Sequence, residues 1–333
     1  MSYKQVLTIG KYFRDKFGEK VYKVPISISG FTCPNIDGTV AKGGCTFCEN
    51  ESFSPNLTDK SRFKLKLDST ENPYLDKQLM QLEMQFNATR ERLENKFGAK
   101  KFLVYFQSFT NTYAPLSTLK TLYEKALSFE GVVGLSIGTR TDCITDETLD
   151  YLVELKNREL PLELQSSKSE QKNYEIWVEY GIQSIYDETL VKINRGHDWA
   201  NVKEWVEKTK AKDLLVCGHV IFGLPDETQD MMLQTVTESI KLNIDSIKFH
   251  PLYVTKNTLL TIEYKKGLFK PISEELYIDT LVKSIEMLPD NISISRVTAG
   301  IGDSSLLDPM WCSNKHDQMK KIKQALMSKK LFY

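Results

Sequence analysis

The stretch GFTCPNIDGTVAKGGCTFCENESF, residues 30–53, decides how the rest of the sequence is interpreted, because it holds Cys33, Cys45 and Cys48 within sixteen residues. Cys45 and Cys48 form a Cys-x2-Cys pair, a spacing that presents two thiolates to a soft metal from one turn. Cys33 lies in the preceding loop and can reach the same centre. The sequence therefore predicts a metal centre with three thiolate ligands.

Three ligands leave several interpretations open. Structural zinc takes four protein ligands, and the remaining cysteines, Cys143, Cys217 and Cys312, stand alone on or near apolar runs. Zinc with a distant fourth ligand and three unconnected thiols both remain alternatives. The favoured interpretation is an iron–sulfur cluster with one iron left open for a substrate or cosubstrate.

Composition limits the class of protein. The 333 residues include 44 Lys plus Arg and 44 Asp plus Glu, so no overall basic excess drives nucleic-acid binding. The first twenty residues lack the apolar core of a signal peptide, and no apolar run is long enough to span a bilayer. We expect a cytoplasmic protein without a membrane partner, in which the cysteines are thiols or metal ligands.

Apolar runs alternate with amphipathic segments along most of the chain. The predicted strands are 24–30, 101–109, 131–140, 174–184, 214–225 and 246–254. The predicted helices between and after them are 76–98, 116–129, 146–160, 199–212 and 227–243. Strands so continuously apolar indicate a parallel sheet covered by helices, and six units are too few for a closed eight-unit barrel. The predicted fold class is α/β, a partial (β/α)6 TIM-like barrel.

The expected organisation is an N-terminal segment at 1–23, the partial barrel at 24–255 and a C-terminal α/β extension at 256–333. The extension contains a predicted helix at 273–288, a strand at 292–300 and a final Lys-rich helix.

Polar residues follow the carboxyl ends of the predicted strands, where parallel α/β folds place their sites. Glu179 lies within an apolar strand, where an unpaired carboxylate costs on the order of several kcal/mol, so it needs a partner such as a cofactor or Arg195. His219 is expected to be a satisfied core residue, and His250 to face the site. The motif GLPDET is expected to turn into a helix with Asp226 as its N-cap.

Longer motifs support a specific relationship. The stretches YFQSFTNTYAP, GTRTDC, EYGIQSIYDETLVKINRGHD, GHVIFGLPDET and KFHPLYV, together with the cysteine stretch, resemble the radical S-adenosylmethionine superfamily. Most members space the cysteines three and two residues apart. The spacing of eleven and two here resembles the subgroup of the elongator complex's catalytic subunit, and within it the bacterial YhcC/YtqA-type radical SAM proteins.

This resemblance implies the cofactors and their ligands. Cys33, Cys45 and Cys48 would bind three irons of a single [4Fe-4S] cluster, and the fourth iron would chelate S-adenosylmethionine, which is cleaved reductively to a 5′-deoxyadenosyl radical. Further contacts to the cofactor would come from residues at the strand ends and in the cysteine loop, with no catalytic residue beyond these ligands. They are Phe47, Gln107, Ser108, Thr139, Glu179, Arg195 and His250.

The substrate is less well defined by the sequence. The elongator-like subgroup implies modification of a tRNA wobble-uridine side chain, and the basic segments 59–68 and 314–330 could contact phosphate. The alternatives are a small metabolite or tetrapyrrole-like substrate, or a non-catalytic cluster- or zinc-binding redox module. A radical SAM enzyme also needs an electron donor such as flavodoxin or ferredoxin.

Overall fold

A parallel sheet of seven strands forms the centre of the protein. The computed structural model describes residues 4–48, 64–167, 170–301 and 304–333. In spatial order the strands are β2 (Val21–Ile26), β3 (Lys101–Phe106), β4 (Val132–Thr139), β5 (Glu175–Gln183), β6 (Leu215–Phe222), β7 (Ser246–Pro251) and β9 (Ser293–Arg296). All adjacent pairs are parallel. The sheet curls into a half-barrel, which confirms the predicted α/β fold class.

The central strands are buried on both faces, as their continuous apolar sequences predict. Every residue of β4 is buried, and in β5 only Gly181 and Gln183 are partly accessible. Gly134 lets these two strands approach, because a Cβ at this position would lie 1.9 Å from the carbonyl oxygen of Glu175. A sheet covered on both sides leaves its carboxyl edge as the place for polar chemistry.

Helices cover the outer face of the sheet. The α-helices of the described ranges, which include short ones at the edges of the sheet, are α1 (Ile9–Phe17), α2 (Pro34–Asp37), α3 (Leu75–Phe97), α4 (Leu116–Leu127), α5 (Asp146–Lys156), α6 (Asp187–Lys192), α7 (Trp199–Ala211), α8 (Gln229–Lys241), α9 (Leu259–Lys265), α10 (Glu274–Met287) and α11 (Lys315–Ser328). Within the described ranges, none of these is both long enough and apolar enough to cross a bilayer.

The start of α8 differs from the prediction. Thr228, not Asp226, is its N-cap, and the Thr228 hydroxyl accepts a hydrogen bond from the backbone N–H of Met231 at 3.3 Å. Asp226 lies earlier, in the turn, with a φ of 63°, and forms an ion pair with Lys192. The N-cap position needs extended backbone, which Asp226 does not have.

The first strand of the sheet ends earlier than the predicted 24–30, because side chains of α3 replace its backbone partners. The backbone N–H of Ser27 donates to Gln85 Oε1 at 2.9 Å, and Gln85 Nε2 donates to the Ser27 carbonyl at 2.8 Å. Gln78 Nε2 donates to the carbonyl of Ser29 at 2.8 Å. The chain therefore leaves the sheet after Ile26 while its polar backbone groups stay paired.

The C-terminal part of the chain adds a strand to the central sheet. Strand β9 pairs with β7, and α10 packs beside α8 and α11. The last strand, β11 (Leu331–Phe332), pairs with β1 (Lys4–Gln5), while β8 (Val254–Thr255) and β10 (Leu306–Asp308) form a small antiparallel pair. Residues 256–333 thus supply the seventh strand beyond the six expected from the βα repeats.

Candidate active site

The three cysteines lie on a loop that leaves the carboxyl edge of β2. Cys33 precedes α2, and Cys45 and Cys48 share a turn in which the backbone N–H of Cys48 donates to the Cys45 carbonyl at 2.9 Å. Gly43 and Gly44 have φ angles of 85° and 78°, a left-handed conformation that glycine adopts without strain. The glycine pair therefore allows the loop to fold back.

A second segment, residues 193–196 after α6, anchors this loop. Asn35 Nδ2 donates to the Arg195 carbonyl at 2.8 Å, and Asn194 Nδ2 donates to the Gly44 carbonyl at 2.7 Å. The backbone N–H of Thr46 donates to the Ile193 carbonyl at 3.0 Å. Asn194 and Gly44, for example, are 150 positions apart in the sequence. The conformation of the cysteine loop therefore depends on the folded barrel.

All three cysteines line one cavity of about 160 Å³, the cysteine cavity. Its walls also contain predicted site residues from three other parts of the barrel. These are Gln107, Thr139, Glu179 and Arg195. The folded chain therefore brings the cysteine loop together with the carboxyl ends of β3, β4 and β5.

Two buried guanidinium groups face the sulfur atoms. Arg140 Nη1 lies 3.5 Å from Cys33 Sγ, and Arg195 Nη1 lies 3.8 Å from Cys45 Sγ. Arg140 is fixed by Asp142 at 2.6 Å and by the Arg195 carbonyl at 2.7 Å. Arg140 is thus paired with a carboxylate. The two guanidinium groups thus place positive charge beside two of the three sulfurs.

Burial acts against ionisation of the Cys48 thiol. Burial and the neighbouring sulfurs of Cys45 and Cys33 raise the pKa of the Cys48 thiol to about 12, while Arg195 and Arg140 act in the opposite direction. The buried Nε of Arg195 has no hydrogen-bond partner in the described part of the chain. Cysteines in this arrangement become thiolates by exchanging their protons for a metal, which the two guanidinium groups help to balance.

The spacing of the sulfurs distinguishes a single ion from a cluster. Ligands of one tetrahedral zinc ion lie roughly 3.8 Å apart, given Zn–S bonds of about 2.3 Å. In the described ranges, only one set of three His, Cys, Asp or Glu ligand atoms lies within 4.8 Å of one another, and it does not include these cysteines. A cluster gives each thiolate its own iron and spaces the sulfurs more widely. The donor set fits a cluster better than zinc.

The three residues whose ligand atoms lie within 4.8 Å of one another are Glu179, Cys217 and His219. It does not suit a cation, because Glu179 is already paired with two ammonium groups, those of Lys23 and Lys248. Burial also raises the pKa of Cys217 to about 11. We therefore assign no metal to this set.

A second cavity of about 200 Å³, the inner cavity, adjoins the first. Its own lining includes the predicted residues Phe47, Ser108 and His250, and also Arg296. Both cavities are lined by a shared wall, which consists of Tyr105, Gln107, Phe109, Gln183 and His219. The two cavities thus form adjacent parts of one site.

Glu179 sits at the centre of the half-barrel and is 1% exposed. Oε1 pairs with Lys23 at 2.6 Å and accepts a hydrogen bond from Ser136, and Oε2 pairs with Lys248 and with His219 Nε2 at 2.8 Å. Burial opposes ionisation, but the two lysines outweigh it and hold the pKa of Glu179 well below its usual value. The ionic partners are these lysines; Arg195, considered from the sequence, is not among them.

His219 belongs to this network, contrary to the expectation of an ordinary core histidine. It lines both cavities and donates to Glu179. Burial and the charge of Lys248 lower the pKa of His219 to about 4, although Glu179 acts in the opposite direction. The imidazole is therefore neutral at pH 7, with Nε2 as its donor nitrogen.

Sequence analysis missed Lys23 and Lys248. Both interrupt otherwise apolar strands, in VYKVPI and SIKFHP, and a lysine in a buried strand indicates a buried acid. The sequence therefore contained the information needed to predict that both lysines pair with a buried acid. Tyr105, whose hydroxyl accepts a hydrogen bond from Lys248 at 3.2 Å, gives no such signal, because aromatic residues are common in any strand.

Comparisons with known proteins agree with this arrangement. The sequence profile of the radical SAM superfamily matches residues 39–238, and a radical SAM C-terminal domain profile matches residues 244–328. The protein YtqA of Bacillus subtilis (strain 168) is 34% identical over 326 residues, which cover 97% of this chain and 90% of YtqA.

Two further matches are less similar to this chain in sequence. A tRNA uridine(34) acetyltransferase of Methanocaldococcus infernus is 29% identical over 140 residues, 41% of this chain and 26% of that protein. The structure of the archaeal Methanocaldococcus infernus Elp3 with an N-terminal deletion matches with a TM-score of 0.61 at 18% identity, covering 93% of this chain and 63% of that chain. The structural likeness shows a shared fold.

Proposed function

This chain belongs to the radical SAM superfamily, whose cofactors are a [4Fe-4S] cluster and S-adenosylmethionine, and we propose that Cys33, Cys45 and Cys48 hold that cluster here. The observation that carries the proposal is the cysteine cavity, in which the three cysteines lie beside two buried guanidinium groups. The resemblance to the YhcC/YtqA-type radical SAM proteins is confirmed by the match to YtqA.

The protein's residues would prepare and enclose the reaction. When bound and reduced, the cluster supplies one electron that cleaves a carbon–sulfur bond of S-adenosylmethionine to give a 5′-deoxyadenosyl radical. Arg140 and Arg195 stabilise the thiolates, and Phe47 extends from the cysteine turn into the inner cavity. A substrate bound in the inner cavity would lie next to the cofactor, because the two cavities share a wall.

Cofactor contacts from Phe47, Gln107, Ser108, Thr139, Glu179, Arg195 and His250 are part of this proposal. All of them line one or both cavities. Glu179 differs from the others, because both of its oxygens are engaged by protein groups. Its contribution would be to fix Lys23, Lys248 and His219 beneath the cofactor.

We further propose that the substrate is a tRNA wobble uridine. The proposal is supported by the match to a protein named tRNA uridine(34) acetyltransferase. Lys64 lies 5.6 Å from the ring of Phe109 in the shared wall, so a basic side chain stands beside the site. Residues 59–63 of the basic segment 59–68 lie outside the described residues. The basic segment 314–330 contains α11, Lys315–Ser328, which precedes β11. In the first turns of this helix, the side chain of Gln318 accepts a hydrogen bond from the backbone N–H of Ala299.

A small-molecule substrate is the second candidate, because the inner cavity encloses only about 200 Å³. In either case an external one-electron donor such as flavodoxin or ferredoxin completes the proposal. The division of the chain into residues 1–23, 24–255 and 256–333, and a cytoplasmic location, stay predictions.

The cofactor proposal is tested by anaerobic reconstitution with iron and sulfide. The protein should become brown, and with dithionite and S-adenosylmethionine it should release 5′-deoxyadenosine, measured by mass spectrometry. Cys45→Ala should lose both properties, whereas Cys312→Ala, remote from the site in a separate apolar cluster, should keep them. Failure to form 5′-deoxyadenosine with or without bulk tRNA would refute the enzyme proposal.

The tRNA proposal is tested by nucleoside profiling of tRNA from a strain that lacks the protein. A modified wobble uridine should disappear, and it should return with the wild-type gene but not with the Cys45→Ala variant. An unchanged set of wobble uridines would contradict the tRNA proposal and leave the small-molecule candidate.

A further inference from the structure

The inner cavity contains a guanidinium group for which the described residues provide no partner. Arg296, at the carboxyl end of β9, lines this cavity and is exposed. Among the described residues, no hydrogen bond, ion pair or ring contact engages its side chain. The other two arginines of the site are held, Arg140 by Asp142 and Arg195 by the Gly181 carbonyl at 2.8 Å.

The charges around the cavity do not balance. Lys23, Lys248 and Arg296 are cations that act on Tyr105 or on His250, and Glu179 is the carboxylate that acts on both. Both Glu179 oxygens are engaged by Lys23, Lys248 and His219, so this carboxylate does not compensate Arg296 as well. Among the described residues, the charges around the cavity therefore sum to a positive value, which favours an anionic ligand.

His250 provides a second group beside Arg296. Its Nε2 is buried and has no hydrogen-bond partner within the described ranges, and its ring centroid lies 5.3 Å from that of His219. Burial and the charges of the neighbouring cations hold the pKa of His250 well below its usual value, so the ring stays neutral and Nε2 can donate one hydrogen bond. This buried atom is therefore available to hydrogen-bond a ligand that enters the inner cavity.

The position of Arg296 separates this anion from the cofactor. Arg296 and His250 line the inner cavity but not the cysteine cavity, whereas Arg195 lines the cysteine cavity but not the inner one. Arg195 is thus the guanidinium placed near the proposed cluster and its S-adenosylmethionine.

We propose that the inner cavity binds an oxyanion of the substrate, a carboxylate or a phosphate, between the guanidinium of Arg296 and the imidazole of His250, so that His250 would contact the substrate in place of the cofactor contact proposed above. The inference rests on the proposed function for its view of the inner cavity as the substrate site. A planar guanidinium offers paired N–H donors that match two oxygens of either anion. The substrate class is therefore a molecule with an acidic group close to the carbon that reacts.

The test is binding of simple anions to the reconstituted protein by isothermal titration calorimetry. Inorganic phosphate, acetate and uridine 5′-monophosphate are the probes, with S-adenosylmethionine as a separate titration. Arg296→Gln should weaken the preferred anion about ten-fold or more, Arg296→Lys should weaken it less, and His250→Phe should also weaken it. Arg92→Gln, an exposed arginine on α3, is the matched control and should bind as the wild type does.

Each outcome has a defined meaning. Preference for phosphate or uridine 5′-monophosphate supports a phosphate-bearing substrate, and preference for acetate supports a carboxylate. The inference is overturned if the wild type binds none of these anions, if Arg296→Gln binds them equally well, or if only S-adenosylmethionine binding is lost. Anion binding by a protein that never forms 5′-deoxyadenosine would refute the proposed function alone, and the reverse result would refute only this inference.

Discussion

The cysteine cavity and the inner network around Glu179 lie side by side, yet they are stabilised differently. The cysteine loop is held by hydrogen bonds between neutral groups, such as those from Asn35 and Asn194 to backbone carbonyls. The inner network joins charged side chains from β2, β5 and β7, namely Lys23, Glu179 and Lys248. The first arrangement positions the proposed metal ligands, and the second compensates buried charge.

Because of this difference, we expect mutations in the cysteine loop to affect function and mutations in the inner network to affect stability. Removing a sulfur from the cysteine loop takes away a proposed ligand but leaves no uncompensated charge. Removing Glu179 leaves the buried ammonium group of Lys248 and the partly buried one of Lys23 without their carboxylate, which is among the most destabilising changes in a protein interior. Mutations in the two regions should therefore affect different measurements, even though both regions line the same cavity.

The largest effect on stability is expected for Glu179→Ala. The cluster-free protein should lose about 3–5 kcal/mol of its free energy of unfolding in urea, because Lys23 and Lys248 lose their counter-charge. Glu91→Ala, at an exposed position of α3, is the control and should change little. Adding Lys248→Met to Glu179→Ala should recover part of the loss. A loss below about 1 kcal/mol would show that the network does not stabilise the barrel.

The second effect is on pH dependence. The pKa of His219 falls to about 4 from an ordinary value of 6.5, so the unfolded chain takes up this proton first as the pH drops. Stability should therefore decline between pH 6.5 and pH 4, by at most about 1.4 kcal/mol per pH unit from this group. Below the ordinary value of 4.5 for Glu179, its depressed pKa adds to the decline.

Urea unfolding at pH 7 and pH 5 measures this slope. His219→Gln keeps a donor for Glu179 but cannot titrate, so its slope should be shallower than that of the wild type. His316→Gln, exposed at the start of α11, is the control. Equal slopes for the wild type and His219→Gln would refute the contribution of His219.

A smaller effect on stability is expected at the anchor of the cysteine loop. Gly196 has a φ of 81°, and a Cβ there would lie 2.5 Å from Asn35 Oδ1. Gly196→Ala should destabilise the protein by about 2 kcal/mol and lower iron incorporation, because Asn35 must move away from residues 194–195.

Gly98→Ala is the matched control for this prediction. Gly98 also has a positive φ, of 62°, but nothing lies within 4 Å of the added Cβ. It carries the backbone strain without the clash, so iron incorporation should be normal. If the two variants incorporate iron equally well, the contact between residues 35 and 196 does not shape the site.

The smallest effect on folding is expected for Cys45→Ala, despite its complete loss of cluster. The cluster-free protein should lose no more than about 1 kcal/mol, since the change removes one small buried side chain. Thermal unfolding of the cluster-free wild type and variant measures this directly. A loss as large as that of Glu179→Ala would contradict the separation between the two regions.

Local sequence patterns anticipated much of the fold. The five amphipathic segments between the predicted strands all form helices, and the helix at 76–98 is observed as Leu75–Phe97. The strand at 24–30 was placed wrongly, because glutamine side chains of α3, distant in sequence, take over the backbone of Ser27 and Ser29. Periodicity records which face of an element is apolar, but it does not record such long-range partners.

By itself, the sequence determined the three-cysteine motif, the βα alternation and the family, since each is written in residues close together along the chain. Only the tertiary structure decided that Lys23 and Lys248 neutralise Glu179 and that Arg140 and Arg195 face the sulfurs. It also decided that Arg296 and His250 line the same second cavity. The physical reason is the curl of a parallel sheet. Side chains from strands far apart in sequence point into one narrow interior, and their charges balance or remain unbalanced according to the register between those strands.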